Sequence, residues 1–275
     1  MSKGKEATVP VEASVKRSEQ PKESQQARWN FIPWNPWVGL VFIILVYFAS
    51  QVIAENIVAI YPMAKHWSNA VAISWITNSI IAQFFYVLLA EALTLGAIYL
   101  YLRHYKKTFS LIGLHRPRLD HILYGFLMFP VYYIITSVVL VLIGHLVPSF
   151  NVSQQQEIGF TTVHGAAQLI MTGISLVILP PLTEEIMVRG FMYSTLRKGL
   201  PQFAAVIVTS ALFASAHLDE GGNAGPLYVA AVDTFILSLA LIYLREKTNN
   251  LWASMTLHAC KNGFAFVALF ILNNR

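Results

Sequence analysis

VGLVFIILVYFASQVIAENIVAI, residues 38–60, carries one charged side chain, Glu55. A helix needs roughly 20 apolar residues to cross the hydrocarbon of a bilayer, and this run meets that length. Comparable runs follow at 78–102, 121–147, 165–183 with a polar extension to 198, 202–217, 227–244 and 251–272. Together they predict an all-α, polytopic integral membrane protein of about seven transmembrane helices. The fifth run is short, and residues 70–77 either extend the second or lie at the interface. Composition points the same way. Of 275 residues, 56% are hydrophobic and 12% charged, whereas soluble domains carry about 25% charged residues.

Working outward, residues 1–28 are rich in Lys, Glu, Ser and Gln and cannot bury a core, so a disordered tail is expected there. Trp29, Trp34 and Trp37, with Pro33 and Pro36, read as an interfacial tryptophan collar. This divides the chain into a tail and collar at 1–36 and a transmembrane domain at 37–275. No cleavable signal peptide is expected, because the first apolar run is long enough to span and the residues before it are polar. A single cysteine, Cys260, excludes an internal disulfide and a Cys-cluster metal site.

The net charge of +5 is not a nucleic-acid signal, because the basic residues lie between apolar runs. There they act as orientation signals and lipid headgroup contacts. The tail, the loop with Arg103, Lys106, Lys107, Arg116 and Arg118, the turn with Arg189, Arg197 and Lys198, and the turn with Arg245 and Lys247 all fall on one side if seven spans alternate. Lys65 and Arg275 fall opposite. The positive-inside rule then predicts a cytoplasmic N-terminus and an external C-terminus. The short loops and polar tail resemble those of a bacterial inner-membrane protein.

Three polar stations interrupt the apolar runs near the C-terminus, and ionisable groups at membrane depth cost about 3 kcal/mol each on insertion scales. In the first, Thr183-Glu184-Glu185-Ile186-Met187-Val188-Arg189-Gly190, Glu185 and Arg189 are four apart and share a helix face, so they can pair. Glu184 lies about 100° round the helix and can face a pocket. Pro180 and Pro181 should break or kink the helix and free backbone carbonyls, which a polar cavity can satisfy. The bland alternative is an ordinary ion pair at a helix end.

The second station is His217. Glu184 and His217 lie almost symmetrically about the turn Lys198-Gly199-Leu200-Pro201. In an antiparallel hairpin they come level about 24 Å from it, and a histidine opposite a glutamate is an acid–base partner. Taken alone, such a histidine is more often structural. The third station, His258 and Asn262, places two donors one turn apart, separated by about 6 Å of rise. Two such donors suit the oxyanion formed when water attacks an amide, and they equally suit a helix-packing hydrogen bond.

These residues resemble the motifs of the CPBP intramembrane proteases, which include the type II CAAX prenyl endopeptidases and bacteriocin-immunity-type (Abi) proteins. Glu184-Glu185 through Arg189 is similar to the EExxxR motif, Phe213 to His217 to FxxxH, and His258 to Asn262 to HxxxN. Lys247-Thr248-Asn249-Asn250-Leu251-Trp252-Ala253 resembles the run before the last motif. The resemblance covers about 165–272, and Val188 departs from it where many members carry Phe. It implies proteolysis by an activated water on a membrane-associated substrate, including a CAAX-type prenylated one. Carried over, Glu184 is the general base with His217 beside it. Glu185 and Arg189 hold the surroundings in shape, and His258 and Asn262 stabilise the oxyanion. Glu184, His217 and His258 would also make a three-ligand zinc site. Without a His-Glu-x-x-His motif, a metal-free site with no cofactor is favoured.

Other buried polar groups have blander readings. Glu55 and Glu91 are expected to line a cavity or to pair, and Lys261 to pair with Asp233 or to snorkel. Cys260 and Ser215 point away from the neighbouring histidines. The expected partners are the bilayer and a membrane-embedded or lipidated peptide or protein, with no nucleic acid. Two other readings keep the apolar architecture: a non-catalytic scaffold or immunity factor, and a transporter with a Glu–His proton relay.

Overall fold

The computed structural model describes residues 29, 31–154, 160, 163–218 and 225–272. The tail expected at 1–28 lies outside them. The architecture is all-helical, and the chain is a polytopic integral membrane protein. The helices are α1 (Pro36–Ala64), α2 (Asn69–Asn78), α3 (Ile80–His104), α4 (Leu119–Leu146), α5 (Gly165–Gly199), α6 (Gln202–Ser215), α7 (Tyr228–Thr248) and α8 (Trp252–Leu272). Six of these are long and apolar enough to cross a membrane. Of the seven expected spans, the short fifth is the exception. α6 has 14 residues and so reaches about 21 Å, against about 30 Å of hydrocarbon. Residues 70–77 fall within α2, a separate helix.

Start signals are local. Asn35 accepts hydrogen bonds from the backbone N–H groups of Trp37 and Val38 at 2.9 and 3.4 Å, and Pro36 occupies the first turn of α1. Ser79 caps α3 through the Ala82 N–H in the same way.

Packing inverts the amphipathicity of a soluble protein. α4 leaves Leu127, Val131, Ile134 and Val138 exposed while burying His121, Gly125, Tyr132 and Thr136. The buried set recurs at intervals of four and seven, a single inward stripe. α1 packs along α3, α1 burying Ile43, Ala54 and Val58 and α3 burying Ala90, Thr94, Ile98 and Leu102. The other close partners are α4 with α8 and α6 with α7. At Gly125 a Cβ would stand 2.6 Å from both the Ala253 carbonyl oxygen and Thr256 Cβ, so α4 and α8 meet at a position that only glycine allows.

The collar differs from expectation. Trp34 is 1% and Trp29 5% exposed, while Trp37 is 53% exposed. Trp34 donates its indole N–H to Thr195 Oγ1 at 3.0 Å and stacks on Phe191 with ring centroids 5.0 Å apart. Lys198 Nζ donates to the carbonyls of Ile32 and Trp34 at 2.9 and 2.8 Å. A buried indole needs a partner for its N–H, and the end of α5 supplies one. Two of the three tryptophans are thus core anchors rather than a lipid-facing belt. The basic residues need a similar correction, since Arg189, Arg197 and Arg245 are buried within helices and not displayed on loops.

Candidate functional site

α5 runs 35 residues without a break, yet it is not a uniform α-helix. Ile174–Ile178 and Glu185–Met192 are wound more loosely, with i→i+5 hydrogen bonding. Such π segments are frequent at functional sites. The first lies just before Pro180, whose missing N–H leaves the Leu176 carbonyl without its usual i+4 donor. Asn262 Nδ2, on α8, donates to that carbonyl at 2.9 Å. A carbonyl freed by the prolines is therefore satisfied by a side chain from another helix, and α5 continues past them. Asn262 is to this extent a packing residue, and the second N–H of its carboxamide remains for the cavity that it lines.

The two adjacent glutamates have different surroundings. Glu185 is fully buried, and its Oε1 accepts from Arg189 Nη1 at 2.9 Å and from His258 Nδ1 at 3.1 Å. The i,i+4 pairing of Glu185 with Arg189 is as expected. Arg189 is also fully buried, with its guanidinium carbon 4.2 Å from the centre of the Phe213 ring. The Glu184 side chain is 24% exposed and lies against the cavities described below.

Tautomers follow from the partners. Phe213 O can only accept, so the Nδ1 that meets it at 2.8 Å makes His217 an Nδ1–H imidazole. The Glu185 carboxylate likewise requires a proton on His258 Nδ1. Each ring therefore has its Nδ1 held by the protein. His258 Nε2 lies 3.8 Å from Glu184 Oε2. Phe213 stands between the two rings, edge-on to His217 at 4.8 Å and to His258 at 6.1 Å. As a residue it was not singled out from the sequence, although it opens the FxxxH-like motif.

Two cavities share a wall made of Glu184, Phe213 and His217. The polar one, about 260 Å³, also has His258, Asn262, Asp233 and Lys261 on its lining. Lys261 Nζ lies 3.5 Å from Asp233 Oδ2, and Tyr132 donates to Asp233 Oδ1, so these two charges pair as one of the two expectations had it. The apolar cavity, about 370 Å³, lies between α1, α5 and α6, with Ile43, Phe48, Met187, Met192 and Leu212 among its walls. Glu55 and Glu91 line neither cavity.

Of the six expected site residues, Glu184, His217, His258 and Asn262 meet at the polar cavity, while Glu185 and Arg189 form the buried cluster behind it. Among the described residues, no three His, Cys, Asp or Glu side chains are grouped closely enough to hold a metal ion. No curated protein and no solved structure matches the chain. Residues 165–264, which contain all three motifs and run from the start of α5 into α8, match the family described as type II CAAX prenyl endopeptidase Rce1-like, in agreement with the resemblance that the motifs carry.

Proposed function

We propose that the protein is an intramembrane endopeptidase that hydrolyses a peptide bond with a water activated by Glu184. The observation that carries this reading is the asymmetry of the two glutamates. Glu185 is sealed between Arg189 and His258, while Glu184 reaches a polar cavity that His217, His258 and Asn262 also line. A general base needs access to water and a fixed position, and a neighbour locked in a buried cluster supplies the second.

Glu184 takes a proton from water as the oxygen attacks the scissile carbonyl. The C–N bond then breaks as that proton passes to the departing amine. The lone pair on His217 Nε2 can order the attacking water. The charge that develops on the carbonyl oxygen is met from α8, by the second N–H of Asn262 and by His258 when its Nε2 carries a proton. No step uses a metal. The apolar cavity beside Glu184 fits a hydrophobic anchor on the substrate, which favours a membrane-associated substrate and includes a prenylated C-terminal one.

The test is cleavage of a quenched fluorescent peptide, with and without a prenyl anchor, by the full chain in lipid nanodiscs. Wild-type protein is expected to cleave and Glu184→Ala to lose about a hundredfold or more. Equal rates would sink the reading and leave a binding or scaffold role. Activity removed by a zinc chelator and restored by zinc would move Glu184, His217 and His258 to metal ligation. Comparing membrane proteomes of wild-type and Glu184→Ala cells then identifies the natural substrate.

A further inference from the structure

The largest of the described cavities is not at this site. It encloses about 680 Å³ at the opposite end of α7, where Arg245 and Asn249 line it together with Lys106, Lys107 and the hydroxyls of Thr108 and Ser110. Arg245 lies about 18 Å along α7 from Asp233 of the polar cavity, at 1.5 Å per residue. None of the lining residues is a carboxylate, and three carry a fixed positive charge. The volume falls within the roughly 300–1,000 Å³ typical of small-molecule sites.

Basic residues at a membrane face are often no more than orientation signals on mobile loops. Here the wall is built. Arg245 is 2% exposed, donates to Asn249 Oδ1 at 3.0 Å and to the Ile112 carbonyl at 3.3 Å, and has Trp29 5.7 Å from its guanidinium carbon. Gly113, in a left-handed conformation at φ 95°, lets the guanidinium lie against the backbone where any Cβ would collide with it. The loop carrying Lys106 and Lys107 is fastened to the α7–α8 turn by three bonds. Leu251 N–H donates to the Gly113 carbonyl at 3.1 Å, Asn250 Nδ2 to that of Arg116 at 3.1 Å, and Trp252 Nε1 to that of His115 at 2.9 Å. Exposed Phe31 completes an aromatic edge beside the charges. A fixed, buried arginine behind two exposed lysines, with the mutually hydrogen-bonded hydroxyls of Thr108 and Ser110 at 2.7 Å, suits a phosphoryl group, and the ends of the spans α3 and α7 are where lipid headgroups are expected.

We infer that this pocket binds an anionic phosphoryl group at the membrane surface. The occupant presents a phosphate oxygen cluster to Lys106, Lys107 and Arg245, whether on a phospholipid headgroup or free in solution.

The test uses the purified full chain in detergent, titrated with phosphatidylglycerol, phosphatidylcholine or inorganic phosphate and read by native mass spectrometry. Wild-type protein should retain phosphatidylglycerol in preference to phosphatidylcholine. Lys106→Gln with Lys107→Gln should weaken it about thirtyfold, from roughly fivefold for each lysine near an anionic headgroup. Arg103→Gln with Arg116→Gln removes the same charge outside the pocket and should change retention far less. Displacement of the lipid by millimolar phosphate identifies the free ion as ligand, and its failure identifies the headgroup. Equal retention of the two lipids, or equal weakening by the two double variants, would overturn the assignment. Unchanged thermal unfolding of both variants keeps the comparison free of folding effects.

Discussion

At Glu184 and Glu185 the same side chain stands in two different surroundings one residue apart, and substitution separates their contributions. If Glu184 is the base proposed above, Glu184→Gln removes it and keeps the shape, so turnover should fall about a hundredfold or more while the melting temperature in detergent stays near wild type. Glu185→Ala leaves Arg189 buried without its carboxylate partner, which in comparable ion pairs costs about 3–5 kcal/mol, so it should lower the melting temperature first and activity as a consequence. If Glu185→Ala melted like wild type, the buried cluster would not be the scaffold described here. Asn262 divides in the same manner. Asn262→Ala orphans the Leu176 carbonyl and should cost about 1–3 kcal/mol of stability. A loss of turnover without any loss of stability would place its whole contribution at the oxyanion. The Glu185–Arg189 pair was legible because i,i+4 spacing is a local rule. The bond from His258 to Glu185 was not, because it joins residues 73 apart whose helices meet only in three dimensions. Pro180 announced a freed carbonyl, but no pattern in the sequence named Asn262 as the group that answers it.

Among the elements, α5 carries the most information, because its two loosely wound segments flank the prolines and contain the Glu185–Arg189 motif. The apolar run and its polar extension predicted a helix to residue 198, but not that α5 would pass Pro180 and Pro181 without a break. Its polar extension stays helical because Trp34, Lys198 and the collar bury it, with Arg197 Nε 3.6 Å from Glu246 and Tyr193 donating to the same carboxylate oxygen at 2.7 Å. The hairpin symmetry about residues 198–201 did bring Glu184 and His217 to a common wall. That part of the site was readable from spacing alone, because α5 and α6 leave the turn in opposite directions at the same rise per residue. α4 and α8 offer a test of packing between elements. Gly125→Ala places a methyl group 2.6 Å from the Ala253 carbonyl oxygen, so the helices must separate, at about 1–3 kcal/mol for an overpacked contact. Thermal unfolding of Gly125→Ala should show this loss, and Thr256→Gly should restore only part of it because the Ala253 carbonyl stays in place. Unfolding indistinguishable from wild type would mean that α8 is free to move away, and with it His258.

For the whole molecule, sidedness is the property on which the fold and the charge pattern bear together. Four segments that are distant in sequence meet at one end of the helices. The collar is fastened to the end of α5 through Lys198, the α5 end contacts α7 through Arg197 and Glu246, and the α7–α8 turn bonds to the loop at Gly113 and Arg116. These are the segments that the positive-inside count placed together, although three of the arginines counted are buried within the folded helices. The exposed remainder, among them Arg103, Lys106, Lys107, Arg116 and Arg118, still outnumbers the opposite end, where Lys65 is the basic residue among the described loops. Positive charges resist translocation, so this end is expected to face the cytoplasm. Ser110 lies at it and Ser153 follows α4 at the other end, both exposed. In a Cys260→Ala background, a membrane-impermeant thiol reagent applied to intact cells should label Ser153→Cys and spare Ser110→Cys until the membrane is opened. The reverse pattern would invert the molecule in its membrane. It would also carry the basic pocket to the external leaflet, while leaving the fold and the geometry around Glu184 untouched.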